Sequence, residues 1–546
     1  MHQIGSERRI TILAATTRVS LTAKEMRRGS GLSMLYRTFT AATVVLILAV
    51  SGGMFAGCGS SPAPKKAAAK AKNTAVQKPA RAKKTPSKAP APATPVAKVN
   101  NAETTGDSES ANPSPPSDPP RTSLADLAEQ AKVEEFRLPE IEARKIASAG
   151  IRKLAGKHIT LYTDVPAAPD LDELPTVFDA AVPLLCQYCG VDPQLAADWH
   201  IVGYLMQDKE RFQGTGLYPD NLPPFPHGYS RGSEIWLYDQ PSSYYRRHLM
   251  IHEGTHAFMH RMLGGSGPPW YMEGTAELLG THRWQAGKLT LAYMPKTKEE
   301  VPYWGRVKIV RDEFAAGRGM QLVEIMKYDN HAHQKNEPYG WCWAAAAFLD
   351  EHPLTQEQFR ALRSQTGDHS IDFSRRFYDL LKPHWRAINE DWQLFVRDID
   401  YGYDIALAAV VRKPAVALPA AGATVEIAAA RGWQSSGYRL EAGKTYLIEG
   451  TGRFTIAAND GTPWLCEAGG VTIRYHNGQP LGMLQAAISD EEHPAPQITP
   501  LALPKSIGLS AEIAHSGSGT LYLRVNEAAS GLADNAGAFG VRIRLK

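Results

Sequence analysis

Residues 248–260 read HLMIHEGTHAFMH, with His248, His252, His256 and His260 each four positions after the last. On a helix, residues four apart differ by only about 40° around the axis, so these histidines share a face. His252 and His256 can therefore grip one ion. Glu253 projects to the adjacent side, near that ion without having to bind it, which suits a general base for a water activated by a metal. Leu249, Met250 and Ile251 crowd the same stretch, so it is expected to be buried. Unpaired buried charges are costly, and a metal ion would settle them.

The flanking residues supply the rest of such a site. Ser242 and Ser243 can cap a helix start and Gly264-Gly265 can end it. Pro268-Pro269 then opens a second helix, as proline does in a first turn. That helix carries Trp270-Tyr271-Met272-Glu273-Gly274-Thr275-Ala276-Glu277, in which Glu273 and Glu277 share a face. Sixteen residues separate His256 from Glu273, enough to finish one helix, turn and return. Three protein ligands plus water complete a catalytic site, so His248 and His260 are read as satisfied side chains.

His-Glu-x-x-His followed by Glu-Gly-x-Ala-Glu resembles the gluzincin metallopeptidases of the peptidase MA-like families, and more distantly thermolysin and aminopeptidase N. The resemblance spans about residues 157–400 and is specific over 248–280. It implies Zn2+ held by His252, His256 and Glu273, with Glu253 as catalytic base and Glu277 orienting a ligand histidine. The spacer is slightly shorter than in those two relatives, which leaves Glu277 as the alternative third ligand. The resemblance also implies an edge strand that pairs with the substrate backbone, assigned to Ile235, Trp236, Leu237 and Tyr238 just before the motif helix. A donor to the developing oxyanion is required as well. Tyr339, which opens a downstream helix, is the first candidate, and His331 and His333 are the alternatives.

Strand-like runs at 158–163, 199–206 and 234–238 precede long helical patterns from Ser242 to about Arg397. This order predicts an α+β fold, and the gluzincin resemblance implies a zincin-like metallopeptidase domain over 123–410. After Pro414 the period changes to short alternating runs bounded by glycine: KTYLIEG, RFTIAA, TLYLRV and FGVRIRL. They predict an all-β sandwich over 415–546, with Phe539, Val541, Ile543 and Leu545 on one face. Within it stand Gly432-Trp433-Gln434-Ser435-Ser436-Gly437 and the run from Leu521 to Gly537. The latter resembles the calcium-dependent galactophilic lectin family. That resemblance implies Ca2+ bound by Glu527, the Gly531 carbonyl, Asp534 and Asn535, and a glycan bound through the ion. Glu527 and Asp534 stand where the family has Asp and Asn.

The N-terminal part differs in kind. Residues 39–50, FTAATVVLILAV, follow Arg27, Arg28 and Arg37. They are too short for a bilayer span of about 20 residues and suit the apolar core of an export signal within residues 1–58. Phe55-Ala56-Gly57-Cys58 resembles a bacterial lipobox, which implies lipidation at Cys58. Residues 59–122, rich in Ala, Pro, Lys, Ser and Thr, read as a disordered linker. Residues 1–122 carry 18 Lys and Arg against 6 Asp and Glu, and the other 424 residues carry 42 against 50. The net charge of +4 therefore hides a mildly acidic globular part, with no basic face for nucleic acid. Cys186-Gln187-Tyr188-Cys189 lacks a second C-x-x-C, which argues against a zinc knuckle; after export the two thiols are able to oxidise.

The expectation is an exported zinc metallopeptidase of a bacterial cell envelope, lipid-anchored to the membrane or secreted, acting on peptide or protein substrates. The sandwich would hold it on a glycan or cell-wall surface. The alternative is a non-catalytic envelope or glycan-binding protein on a zincin-like scaffold with structural zinc.

Overall fold

The computed structural model describes residues 135–459, 461–493 and 497–546. The export segment, Cys58 and the 59–122 linker lie outside the described residues. Within them the chain is mixed α+β with a C-terminal β-rich region. No helix among them is long and apolar enough to cross a membrane.

Five strands form the first sheet: β1 (Arg152–Ala155), β2 (Ile159–Thr163), β3 (Ile201–Met206), β4 (Gly228–Arg231) and β5 (Glu234–Tyr238), in the order β1-β2-β3-β5-β4. β2, β3 and β5 run parallel, and β1 and β4 are antiparallel to their neighbours at the two edges. Every residue of β3 is buried, because both faces of the sheet are covered and no strand residue has to meet water. On one face Ile159, Leu161, Ile201, Ile235 and Leu237 pack with Phe178, Met250 and Phe258 from two helices, Leu174–Cys189 and Ser243–Leu263. On the other face Tyr162, Tyr204, Met206 and Trp236 pack with Ile146 and Phe212. The alternation of Ile235 and Trp236 between these two cores is the period of two that a strand imposes.

The Ser243–Leu263 helix, here the motif helix, is followed after a short turn by the return helix, Pro269–Gly280. A further helix, Glu337–Glu351, lies against the return helix in a core rich in tryptophan, with Trp270, Trp304, Trp341, Trp343 and Trp392 all buried. The helices continue through Trp385–Asp398 and Ile405–Ala408. Asp391 then ties this half to the segment that leads into the strands. It accepts from His352 Nε2 at 2.8 Å, from the Val410 amide at 3.1 Å and from Arg412 Nη2 at 2.8 Å.

In the β-rich region, strands 505–506, 484–489, 519–525, 434–440 and 416–417 form one sheet, and 510–514, 445–451, 538–545 and 423–428 form another. Leu440, Leu484, Leu521 and Leu523 from the first meet Tyr446, Ile448, Phe539, Val541 and Ile543 from the second in a single core. Leu545, expected on that inward face, is 44% exposed at the end of its strand. Cys186 and Cys189 sit on the Leu174–Cys189 helix as free, buried thiols, and burial pushes Cys189 up to about 12.

One contact sets how closely the motif helix approaches its neighbour. A Cβ added at Gly254 would lie 2.2 Å from Cε2 of Phe178, whose ring is fully buried. Replacing glycine by alanine inside a helix gains up to ~1 kcal/mol in propensity. Forcing an extra carbon into a packed core costs about 1–3 kcal/mol, so the clash should win. Gly254→Ala is expected to lower the thermal unfolding midpoint, and an unchanged or higher midpoint would show that the Phe178 ring yields freely.

Candidate metal centre

The motif helix starts where the sequence says it should. The Ser242 Oγ accepts from the Tyr245 amide at 3.1 Å, and the helix ends at Gly264, whose φ is 72°. The return helix opens at Pro269, which needs no amide partner. Their antiparallel packing turns the histidine face of one toward the glutamate face of the other.

Three donors meet there. His252 Nε2 lies 3.1 Å from His256 Nε2 and 3.3 Å from Glu273 Oε2, and His256 Nε2 lies 3.6 Å from the same oxygen. Two ligands on a tetrahedral ion with bonds of ~2.0–2.1 Å are roughly 3.3–3.4 Å apart, so this triangle has the edges that one face of such a site needs. All three residues are buried, and Glu273 Oε2 has no hydrogen-bond partner. Burial opposes ionisation of Glu273, yet the His256 and His252 rings hold its carboxyl below the ordinary range. This group of residues can hold a metal ion.

A second buried group, His248, His252 and Glu277, also brings donors together. Its carboxylate is already committed. Arg306 Nη2 donates to Glu277 Oε1 at 2.7 Å and Arg306 Nε to Oε2 at 2.8 Å. A bidentate guanidinium satisfies the charge that a second cation would need. Although burial opposes it, Arg306 keeps this carboxyl well below its usual range, with help from His248. Glu277 Oε1 also lies 3.5 Å from His252 Nδ1, on the side of the ring away from the donor triangle. The geometry thus separates the two glutamates: Glu273 faces the open triangle, and Glu277 backs the histidine. His248 Nε2 approaches Glu277 Oε2 at 3.4 Å, and His260, exposed at the helix end, meets Ser266 Oγ at 3.3 Å.

Glu253 is held beside the triangle by the edge of the sheet. A Cβ added at Gly228 would fall 2.5 Å from Glu253 Oε1, so β4 can pass this close only with glycine at that position. Burial pushes the Glu253 carboxyl up to about 8, opposed by His256 and reinforced by Glu273 and Glu277. A bound dication would pull it back down. A cleft opens here, lined by His227, Gly228, Tyr245, His252, Glu253 and Tyr339.

Tyr339 therefore reaches the site. Its ring centroid is 6.4 Å from that of His252 and 5.1 Å from that of His333. Burial raises its hydroxyl above the ordinary value, which leaves it a neutral donor. His333 comes in from the turn Ala332–Gln334, close enough for the Glu273, His252 and His256 charges to act on it, and burial lowers its pKa. His331 is exposed.

The substrate strand assigned to Ile235, Trp236, Leu237 and Tyr238 has to be corrected. β5 is an interior strand, paired with β3 on one side and β4 on the other, so its backbone groups are already bonded. The edge beside the cleft is β4, Gly228–Arg231. The sequence carried a hint of this: a run apolar on both faces belongs inside a sheet, and GYSR is the short polar strand that suits an edge. Arg306 was missed altogether, because no local pattern ties it to Glu277.

Of the candidate calcium residues, Glu527 precedes the Ala529–Asp534 turn, Gly531 lies within it, Asp534 ends it and Asn535 follows it. Gly531 sits against Glu527, whose Oε1 would be 2.6 Å from an added Cβ. Burial raises the Glu527 carboxyl to about 7, and the Asp534 charge adds to this while a hydrogen bond with Asn535 opposes it. Asn535 is buried and donates to the Ala429 carbonyl at 3.1 Å, but its Oδ1 has no partner. Asp534 is exposed.

No family model and no curated protein matches the chain. Among solved structures, the chain has a likeness to one described as "EclA N-terminal domain; PllA-like lectin", with 21% sequence identity and a TM-score of 0.17, covering 22% of this chain and 95% of that one. A likeness this slight carries no argument here.

The two glutamates should separate in experiment. Glu277→Ala leaves Arg306 buried without its partner, and breaking such a pair costs about 3–5 kcal/mol. In metal-stripped protein, denaturant unfolding should show that loss for Glu277→Ala and a much smaller one for Glu273→Ala. Metal content after reloading should reverse the order, with Glu273→Ala losing the ion and Glu277→Ala weakened by about 10–100-fold. Loss of metal from Glu277→Ala alone would move the third ligand to Glu277.

Proposed function

We propose that the chain is an exported zinc metallopeptidase with a zincin-like catalytic domain. The single observation that supports this most is the donor triangle of His252, His256 and Glu273, with a second carboxylate, Glu253, beside it in an open cleft. Two imidazoles and one carboxylate suit zinc, and three protein ligands leave a position for water or substrate. When bound, zinc would supply Lewis-acid polarisation of a peptide carbonyl and make water acidic enough to act near neutral pH.

The protein groups do the rest. Glu253 takes the proton of the attacking water and delivers it to the leaving amine. Glu277, fixed by Arg306, holds the His252 ring so that Nε2 faces the ion. Tyr339 donates its hydroxyl hydrogen to the oxygen on which charge develops, with His333 packed against it. The outer edge of β4, Gly228–Arg231, pairs with the extended substrate backbone by adding it as a strand. That edge replaces Ile235–Tyr238 in the role.

The β-rich region would be a sandwich that docks the enzyme on a glycan or cell-wall surface, with calcium between Glu527, Gly531, Asp534 and Asn535. The unpartnered Oδ1 of Asn535 supports a cation there, since oxygen donors on a loop suit calcium. Lipidation at Cys58 would tether the whole to the membrane of a bacterial envelope.

The test is cleavage of a mixed peptide library, mapped by mass spectrometry with and without chelator. Chelator-sensitive cuts are expected. Glu253→Gln should keep its zinc and lose about 10²-fold or more in rate. Tyr339→Phe should also keep zinc and lose about 10²–10³-fold in kcat. A zinc-loaded wild type that cuts nothing would favour the non-catalytic envelope protein with structural zinc.

A further inference from the structure

The motif around Trp433 has no part in the metal centre, yet it belongs to an unfinished site of its own. Trp433 is 1% exposed and its indole N–H has no partner. The guanidinium of Arg524 lies over its ring, 4.6 Å from the centroid. Arg524 is itself 9% exposed, and its Nε donates to Gln485 Oε1 at 2.9 Å. Among the described residues the guanidinium forms no ion pair. The carboxylate whose charge it feels most, Asp398, is paired with Arg397 at 3.0 Å. Burial lowers Arg524 to about 10, so it remains a cation at neutral pH. A buried charge without a counter-charge is strongly unfavourable, and proteins that keep one use it.

Arg524 and Trp433 line the same small cavity. It lies where the helices Trp385–Asp398 and Ile405–Ala408 meet the β-rich region, with Leu394 and Leu532 as apolar wall and His476 beside Arg524. Among the described residues the two terminal nitrogens of the guanidinium and the indole N–H have no hydrogen-bond partner. A planar guanidinium edge matches a carboxylate in bidentate fashion. Asp398 and Glu527 stand in the same walls and disfavour a dianion such as phosphate.

We propose that this cavity binds a small molecule through its carboxylate, which sits on the terminal nitrogens of Arg524 and the indole N–H of Trp433. The carboxylate belongs either to an acidic sugar or to a peptide C-terminus. Neither source depends on peptidase activity.

The experiment uses the full exported chain, freed of calcium and zinc on a chelating resin and titrated calorimetrically at constant ionic strength. The probes are glucuronate, N-acetylglycine, inorganic phosphate, and the uncharged glucose and N-acetylglycinamide. Saturable binding is expected for a carboxylate and not for the uncharged probes. Glucuronate and N-acetylglycine separate the sugar source from the peptide source. Arg524→Met should weaken binding by roughly tenfold or more, and Trp433→Phe, which keeps a ring but removes the donor, by roughly 3–10-fold. Without ligand, Arg524→Met should melt no lower than wild type, because the charge it removes is buried without a counter-charge. Absence of carboxylate binding in the wild type, preference for phosphate, or equal binding in both variants would overturn the proposal. So would a lower ligand-free melting temperature for Arg524→Met, which would make the arginine a packing element.

Discussion

Three buried carboxylates share one histidine face, and the architecture around them follows from how each charge is settled. Glu277 is neutralised permanently by Arg306 through two short hydrogen bonds. Glu273 has only two imidazoles beside it and an oxygen without a partner. Glu253 has no ion pair among the described residues, and burial drives its carboxyl upward against the pull of His256. Three identical groups are thus given three electrostatic environments. In the proposed reading the first is a fixed anion that orients a ring, the second a ligand for an ion, and the third a base whose affinity for protons would depend on that ion. Removing Arg306 from this arrangement would leave two glutamates competing for the same histidines.

Holding these groups apart by fractions of an ångström is the task of the packed elements behind them. The motif helix lies on Phe178 with no room for a side chain at Gly254, and β4 lies on Glu253 with no room for one at Gly228. Both glycines are positions of close approach, one fixing the height of the helix above its neighbour and the other fixing the base against the sheet edge. Among the described residues the strand that packs on Glu253 is also the edge of the sheet, so in the proposed reading the base and the strand that would present a peptide to it are positioned by one contact.

Much of this was legible in the residues. Spacing of four put the histidines on one face, Ser242 and Gly264 marked the helix ends, and Pro269 marked the start of the return. The strands at 201–206 and 234–238 were visible as apolar runs, and the change to alternation after Pro414 marked the β-rich region. What the sequence could not show depends on distance along the chain. Arg306 lies 29 residues from Glu277, and nothing local pairs them. The run at 234–238 is apolar on both faces, which is the property of an interior strand, and it pairs on both sides, so the edge falls to the shorter and more polar 228–231. Leu545 fits the alternation perfectly and is still exposed at the end of its strand.

The seam between the helices and the β-rich region contains a half-buried arginine and a buried one in opposite conditions. Arg412 donates to Glu390 at 3.1 Å and to Asp391 at 2.8 Å, and Asp391 is completed by His352 and the Val410 amide. Every charge in that cluster is answered from within the chain, as expected of a group whose task is to fix one element on another. Arg524 has one neutral amide for a partner and an indole beneath it whose donor is also unused. Two unanswered donors of one sign, side by side in a cavity, are unfavourable for folding alone. A group retained at a cost to folding is best explained by what it meets from outside, and here that is an anion small and flat enough to reach both donors.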